Sequence, residues 1–136
     1  MDQAEEFKNQ GNTEFRNKNF QKAIDLYTQA IELNPSNHVY YSNRSGSFAG
    51  LEDFESSLKD AEKALEIMPD HLGSISRKGF AQLSTGQIDE AIATYDYGLE
   101  LHPGNDKLVT AKQQAEDAKN GGGPGMGGMG GGMGGG

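Results

Sequence analysis

The sequence predicts an all-α protein made of three stacked pairs of helices and one further capping helix. Three observations lead to this prediction. Prolines recur at Pro35, Pro69 and Pro103, 34 residues apart each time. The segments that end at these prolines match one another, as "AIELNP", "ALEIMP" and "GLELHP". Small and bulky residues recur in columns with the same period, which is the sequence signature of a repeat protein.

The predicted helices come in pairs, and each pair forms one repeat. The repeats run 4–37, 38–71 and 72–105. Their helices are predicted at 2–17 and 20–33, at 38–50 and 54–67, and at 72–84 and 88–101. The second helix of each pair ends before the proline, because proline cannot donate the next helical hydrogen bond and restricts the residue before it. One pair cannot bury its own apolar face, so the three pairs are expected to stack.

Two residue columns explain how the helices of a pair fit together. The small column reads Gly11, Ser45 and Gly79, and the bulky column beside it reads Phe7, Tyr41 and Ile75. Small residues allow two helices to cross closely, and bulky residues fill the space beside the crossing. An unrelated helical bundle has no reason to keep a constant period, so these columns favour a stack of repeats.

The segment 105–119, "NDKLVTAKQQAEDAK", is predicted to form a seventh helix that caps the stack. Its apolar stripe is narrow, and a polar outer face is what the end of a repeat stack requires. The folded domain is therefore predicted to span residues 1–119.

Residues 120–136 are almost entirely glycine and methionine, and we predict a disordered tail or linker there. Such a segment has almost nothing to bury and a large entropy to lose on ordering. The alternative is a weak contact of Met126, Met129 and Met133 with a partner or a second copy of an otherwise monomeric domain. An abrupt end in glycine is also what a fragment of a longer protein would show.

The composition argues against several classes of function. The net charge is −8, which argues against general nucleic-acid binding and against docking on an anionic membrane. There is no cysteine, and hence no disulfide or thiolate chemistry. No apolar run approaches the ~20 residues that span a membrane, and the acidic start "MDQAEEFK" is not a secretory signal. We therefore expect a cytoplasmic protein, with the nucleus as a second location.

The sequence offers no candidate for catalysis, for a metal site or for a cofactor. His38, His71 and His102 have no cysteines or carboxylates at ligand spacing around them. The carboxylates of "LEDFESSLKDAEKALE" are expected on the solvated face of an amphipathic helix. These features predict a protein that is not an enzyme.

The period, the columns and the terminal prolines together resemble the tetratricopeptide repeat, over residues 4 to about 119. The resemblance implies helix-turn-helix units stacked as a right-handed superhelix. In such a stack, the first helix of each unit lines a concave groove.

Four polar residues are expected on the groove side: Lys8, Asn12, Asn43 and Arg77. Lys8 and Asn12 are four residues apart and share one face of the first helix. Asn43 and Arg77 occupy equivalent positions, one period apart. Lysine offers a mobile charge, arginine a fixed fork of donors and asparagine an amide, and such a set suits a carboxylate.

The set resembles the carboxylate clamp of co-chaperone tetratricopeptide domains, in the segments "KNQGN", "YSNRS" and "SRK". The segment "NHVYYSNRS" is similar to the first such domain of the Hsp70/Hsp90-organising co-chaperones, and the small glutamine-rich co-chaperones are near neighbours. Those domains bind the C-terminal Glu-Glu-Val-Asp of cytosolic heat-shock proteins 70 and 90. The resemblance implies an adaptor for this peptide, with the 70 class favoured, in which Lys8 and Arg77 hold carboxylates while Asn12 and Asn43 fix the terminal main chain.

One position departs from the family pattern. The clamp has a second lysine four residues before the arginine, and this sequence has Gly73 there. The lost contact costs roughly 1–3 kcal/mol, so two alternatives stay open: a groove for an internal segment of another partner, and a scaffold that self-associates. Ala49, Ser76 and Phe80 are expected to contact the residues before the terminal acid, with helix packing as the alternative for Phe80.

Overall fold

The computed structural model describes residues 2–121, and it confirms the predicted all-α fold within that range. The helices are α1 (Gln3–Arg16), α2 (Phe20–Leu33), α3 (His38–Gly50), α4 (Phe54–Ile67), α5 (Leu72–Ser84), α6 (Ile88–Leu101) and α7 (Asp106–Lys119). Every predicted helix boundary lies within one residue of the observed one. The tail that is predicted to be disordered lies, from residue 122 onward, outside the described residues.

The helices lie in two layers. The odd-numbered helices contact one another in turn, α1 with α3, α3 with α5 and α5 with α7. Within residues 2–121, the even-numbered helices contact only odd-numbered neighbours. The odd-numbered layer is therefore the more closely spaced one, and it forms the inner side of the stack. The first helix of each repeat lies on this inner side.

Each helix pair crosses where a small residue leaves room for its partner helix. A Cβ atom added to Gly11 would lie 2.6 Å from a ring carbon of Tyr27, and Gly79 lies in the same way against the ring of Tyr95. In the middle pair the crossing residue is Ser45, whose hydroxyl donates a hydrogen bond of 2.7 Å to a carbonyl of α4. The predicted small column therefore lies at the three crossings, where a larger side chain has no space.

The ends of the helices follow from local chemistry. The even-numbered helices end two residues before a proline, at Leu33, Ile67 and Leu101. Five helices begin with a capping side chain that accepts a hydrogen bond from a backbone N–H of the first turn. The capping residues are Asp2, Asn37, Asp53, His71 and Asn105. Such caps satisfy donors that the first turn of a helix leaves free, and each contributes about 1 kcal/mol.

The turn inside each helix pair has the same backbone conformation in all three repeats. Lys18, Glu52 and Gly86 have φ angles of 63°, 61° and 85° and are spaced by one period. Glycine adopts this left-handed region without steric cost, whereas lysine and glutamate do not. The geometry of the repeat therefore overrides the residue preference in the first two turns.

An ion pair ties together α2, α3 and α4. Arg44 donates to both carboxylate oxygens of Asp60, at 2.7 and 2.8 Å, and to the hydroxyl of Thr28 at 3.0 Å. Asp60 is only 6% exposed. The expectation that the carboxylates of this stretch face solvent is therefore wrong for Asp60, because this carboxylate is the internal partner of an arginine.

Candidate functional site

A small cavity on the inner side of the stack brings three of the four predicted groove residues together. Its volume is about 210 Å³, and it is lined by Asn12, Phe15, Arg16, Tyr27, Asn43 and Arg77. Asn12 comes from α1, Asn43 from α3 and Arg77 from α5. The period of the repeat places Asn43 and Arg77 at equivalent positions of α3 and α5, and Asn12 of α1 lines the same cavity.

The two asparagine amides are held by a shared hydrogen-bond network. The Tyr27 hydroxyl donates to Oδ1 of Asn12 at 2.5 Å, and Nδ2 of Asn43 donates to the same oxygen at 3.2 Å. A carbonyl oxygen has two lone pairs, so both acceptor sites of Asn12 are used. The N–H groups of the Asn12 amide are consequently available to a ligand, and so is the second N–H of the Asn43 amide.

Arg77 supplies a cation that has no internal anion. Within residues 2–121 no carboxylate lies within ion-pair distance of its guanidinium. The guanidinium carbon lies 6.0 Å from the ring centre of Phe15, and a Cβ on Gly46 would lie 2.7 Å from it. Burial lowers the pKa of Arg77 from its ordinary value, against a smaller opposing effect of Tyr27. A desolvated cation without a counter-ion attracts an external anion.

Lys8 lies one turn before Asn12 on α1 but does not line the cavity. Its ammonium forms an ion pair of 2.9 Å with Glu5, and the Tyr40 hydroxyl donates to the same carboxylate at 2.6 Å. The hydrogen bond from Tyr40, and then that from Lys8, lower the pKa of Glu5. The Lys8 ammonium is thus paired with an internal acid, and a ligand would compete with Glu5 for it.

The three predicted contacts further along the groove do not line this cavity. Ala49, Ser76 and Phe80 are half-buried on α3 and α5. Phe80 packs edge-on against Phe54 of α4, with ring centres 5.7 Å apart. This contact accounts for Phe80 by helix packing.

Three residues of the cavity were not predicted from the sequence: Phe15, Arg16 and Tyr27. A signal for Arg16 was present, because Lys8, Asn12 and Arg16 are each four residues apart and therefore follow one face of α1. Tyr27 belongs to a second helix, and only the close crossing at Gly11 brings its hydroxyl to Asn12.

A second cavity, of about 390 Å³, lies between α4, α5 and α6. It is larger, but it is lined mainly by apolar side chains, with Lys78 as its one charged residue. No set of polar donors converges in it, so the smaller cavity is the better candidate. Within residues 2–121 no helix has the length and apolar character of a membrane span, and no three potential metal ligands lie together.

Comparison with known proteins supports the fold. The tetratricopeptide repeat profile matches residues 4–37. The tetratricopeptide domain of Arabidopsis OM64 superimposes with a TM-score of 0.82 at 32% identity, covering 85% of this chain and 95% of that one. The chain belongs to the tetratricopeptide repeat family.

Two further relatives extend the comparison. "Protein STIP1 homolog" of Dictyostelium discoideum is 42% identical over 118 residues, which are 87% of this chain and 21% of that protein's length. The first tetratricopeptide domain of Spaghetti (RPAP3), solved with the HSP90 peptide SRMEEVD, is 27% identical with a TM-score of 0.83. The match covers 86% of this tetratricopeptide chain and 95% of that domain.

Proposed function

We propose that this tetratricopeptide domain is a non-enzymatic adaptor that binds the acidic C-terminal peptide of a cytosolic heat-shock chaperone, of the 70 class in preference to the 90 class. The observation that carries the proposal is Arg77, a guanidinium without an internal anion next to two amides that present N–H donors. A peptide that ends in a free carboxylate supplies the missing anion and accepts these N–H groups together.

The chemistry of the cavity favours a chain terminus over an internal segment. The terminal carboxylate accepts hydrogen bonds from Asn12 and Asn43 and an ion pair from Arg77. Each charge-assisted bond contributes roughly 1.5–3 kcal/mol. The cavity, about 210 Å³ in volume, is smaller than the roughly 300–1,000 Å³ of ordinary small-molecule sites. It therefore fits the end of a peptide better than a helix or a strand.

The relatives support the choice of partner. The structural neighbour with TM-score 0.83 holds a peptide that ends in Glu-Glu-Val-Asp, which has the terminal carboxylate and the flanking acids that the groove accommodates. In this domain Lys8 lies one turn before Asn12 on α1, paired with Glu5, where the acids before the terminus would pass. We propose that Lys8 binds one of these acids by exchanging Glu5 for it.

The test is calorimetric titration of a peptide ending in Glu-Glu-Val-Asp and of its C-terminally amidated form, with sequences from both chaperone classes. We expect amidation to weaken binding about tenfold or more, and Asn43→Ala and Arg77→Gln to do the same, because each loses at least one charge-assisted bond. The exposed Lys107 of α7 gives the control variant Lys107→Gln, which should bind like the wild type.

Two results would contradict the proposal. Binding that survives amidation indicates a groove for an internal segment of another partner. That alternative stays open because Gly73 replaces the second lysine of the clamp. Absence of binding in a protein that circular dichroism shows to be helical means that the groove serves another ligand.

A further inference from the structure

The cavity contains a second guanidinium that the sequence pattern of the clamp does not include. Arg16 lies in the last turn of α1 and lines the same cavity as Arg77. No aspartate or glutamate is among the six lining residues, although acidic residues outnumber basic ones by 20 to 12 in the whole chain. The cavity is thus a cationic site in an acidic protein.

Arg16 is not committed to an internal ion pair. Its Nη2 donates to the hydroxyl of Thr13 at 3.3 Å, and no carboxylate of residues 2–121 lies within ion-pair distance of it. Most other cations of the described chain differ, since Lys8, Lys22, Arg44, Lys63, Lys112 and Lys119 each have such a partner. The two arginines of the cavity are both free to bind an anion.

Both guanidiniums act on the same neighbour. Burial raises the pKa of Tyr27 to about 12, and the charges of Arg77 and then of Arg16 oppose that rise. Both cations therefore lie close enough to the Tyr27 phenol to affect its ionisation, and all three side chains line the same cavity. A ligand at the mouth of the cavity is within reach of both.

We propose that Arg16 and Arg77 bind the two carboxylates of a single C-terminal aspartate, which makes Arg16 a specificity-determining residue of this site. The inference rests on the proposed function. Arg77, beside Asn12 and Asn43, takes the main-chain carboxylate. Arg16, at the exposed edge of the cavity, takes the side-chain carboxylate.

The chemistry of the ligand follows from the donors. Each guanidinium is a planar fork that matches one carboxylate, and two forks facing one small cavity match a residue with two carboxylates. A C-terminal aspartate is such a residue. The family pattern has a second clamp lysine at the position of Gly73, and in this chain Arg16 provides a second positive charge for the terminal residue instead.

A double-mutant cycle between the protein and the peptide tests the assignment. Wild type and Arg16→Gln are titrated with the peptide ending in Glu-Glu-Val-Asp and with the same peptide ending in Asn. In the wild type, the change from Asp to Asn should weaken binding about three- to fivefold, the upper part of the range for a solvent-exposed charge pair. In Arg16→Gln the same change should alter binding less than twofold, because the partner of that carboxylate is absent.

Two control variants keep the result specific. Lys18→Gln removes a charge two residues beyond Arg16 and outside the cavity lining, and it should leave the Asp-to-Asn ratio of the wild type unchanged. Arg16→Lys retains the charge without the fork and should restore part of the ratio. Circular dichroism confirms that each variant is folded.

The outcomes separate this inference from the proposed function. If amidation abolishes binding but Arg16→Gln keeps the full Asp-to-Asn ratio, the adaptor function stands and the role of Arg16 is refuted. If the wild type does not bind the peptide, both fail. If Lys18→Gln reduces the ratio as much as Arg16→Gln does, the effect is a general one of net charge and the assignment is wrong.

Discussion

Arg44 and Arg77 differ in their surroundings, because Arg44 has an internal acid and Arg77 has none among residues 2–121. Arg44 lies between α2, α3 and α4, where Asp60 and Thr28 accept its N–H groups. Arg77 lies on the inner side of the stack, where no carboxylate of residues 2–121 pairs with it. Both are near aromatic rings, Tyr41 and Phe48 for Arg44 and Phe15 for Arg77.

The pKa values of Arg44 and Arg77 shift in opposite directions. The hydrogen bonds that Arg44 donates to Asp60 raise the pKa of Arg44, against an opposing effect of burial. Burial lowers the pKa of Arg77, since no internal anion compensates for it. A half-buried arginine with its own acid ties neighbouring helices together, whereas a half-buried arginine without one is a candidate for binding an external acid.

The largest expected effect is on stability, from Arg44→Met. This change leaves the buried carboxylate of Asp60 without a partner, and we expect a loss of about 3 kcal/mol in the free energy of unfolding. Arg77→Met removes a desolvated cation that has no partner, so its cost should stay below about 1 kcal/mol. Urea unfolding of the two variants measures both values. A greater loss for Arg77→Met than for Arg44→Met would show that Arg77 has a structural role after all.

A smaller effect, on binding rather than on stability, is expected from Gly46→Ala. An added Cβ would lie 2.7 Å from the guanidinium of Arg77, which must move away. Since alanine favours a helix by roughly 0.5–1 kcal/mol over glycine, stability should stay level or rise. Affinity for the peptide ending in Glu-Glu-Val-Asp should fall about three- to tenfold, the equivalent of about 1 kcal/mol. Titration calorimetry and urea unfolding of the same variant separate the two quantities.

Gly79→Ala is the matched comparison, because Gly79 lies at a helix crossing instead of against a groove side chain. Its Cβ would collide with the ring of Tyr95, which is buried and cannot move freely. Overpacking of this kind costs about 1–3 kcal/mol. If Gly46→Ala and Gly79→Ala lost stability equally, Gly46 would be a packing position and the proposed displacement of Arg77 would be wrong.

Features that follow the period could be predicted from the sequence. These features are the helices, the crossings at Gly11, Ser45 and Gly79, and the proximity of equivalent residues such as Asn43 and Arg77. Each of them recurs with the 34-residue period of the repeat. One repeat, once understood, therefore predicts the other two. The fold is shared by the family, so its prediction needed no information about individual side-chain contacts.

Features that depend on individual pairs of side chains could not be predicted in this way. Asp60 is buried because Arg44 is opposite it, and no other repeat has this pair. Tyr27 reaches Asn12 only because the two helices cross closely at Gly11. Lys8 pairs with Glu5, a residue that is not part of the clamp pattern. Such contacts depend on distances between helices, which periodicity alone does not supply.

The smallest effect concerns pH and the start of α5. His71 caps this helix through Nδ1, which accepts the N–H of Ser74 at 3.2 Å, and its ring lies edge-on to His38 with centres 4.5 Å apart. Burial, and then the charge of His38, lower the pKa of His71 below its ordinary value of 6.5, against a smaller effect of Asp70. A proton on Nδ1 removes the acceptor and places a positive charge at a helix N-terminus, where it is unfavourable.

The sign of the pH dependence follows. Since the pKa of His71 is lower in the folded than in the unfolded chain, its contribution is complete above about pH 6.5 and is lost as the pH falls below that value. We expect a loss of up to about 1 kcal/mol, the value of one helix cap. His71→Asn keeps a capping acceptor that does not titrate in this range, so urea unfolding at pH 7.5 and 5.5 should show a smaller loss for the variant than for the wild type. Equal losses would mean that the pH dependence comes from other groups, because the variant keeps a capping acceptor that cannot bind a proton in this range.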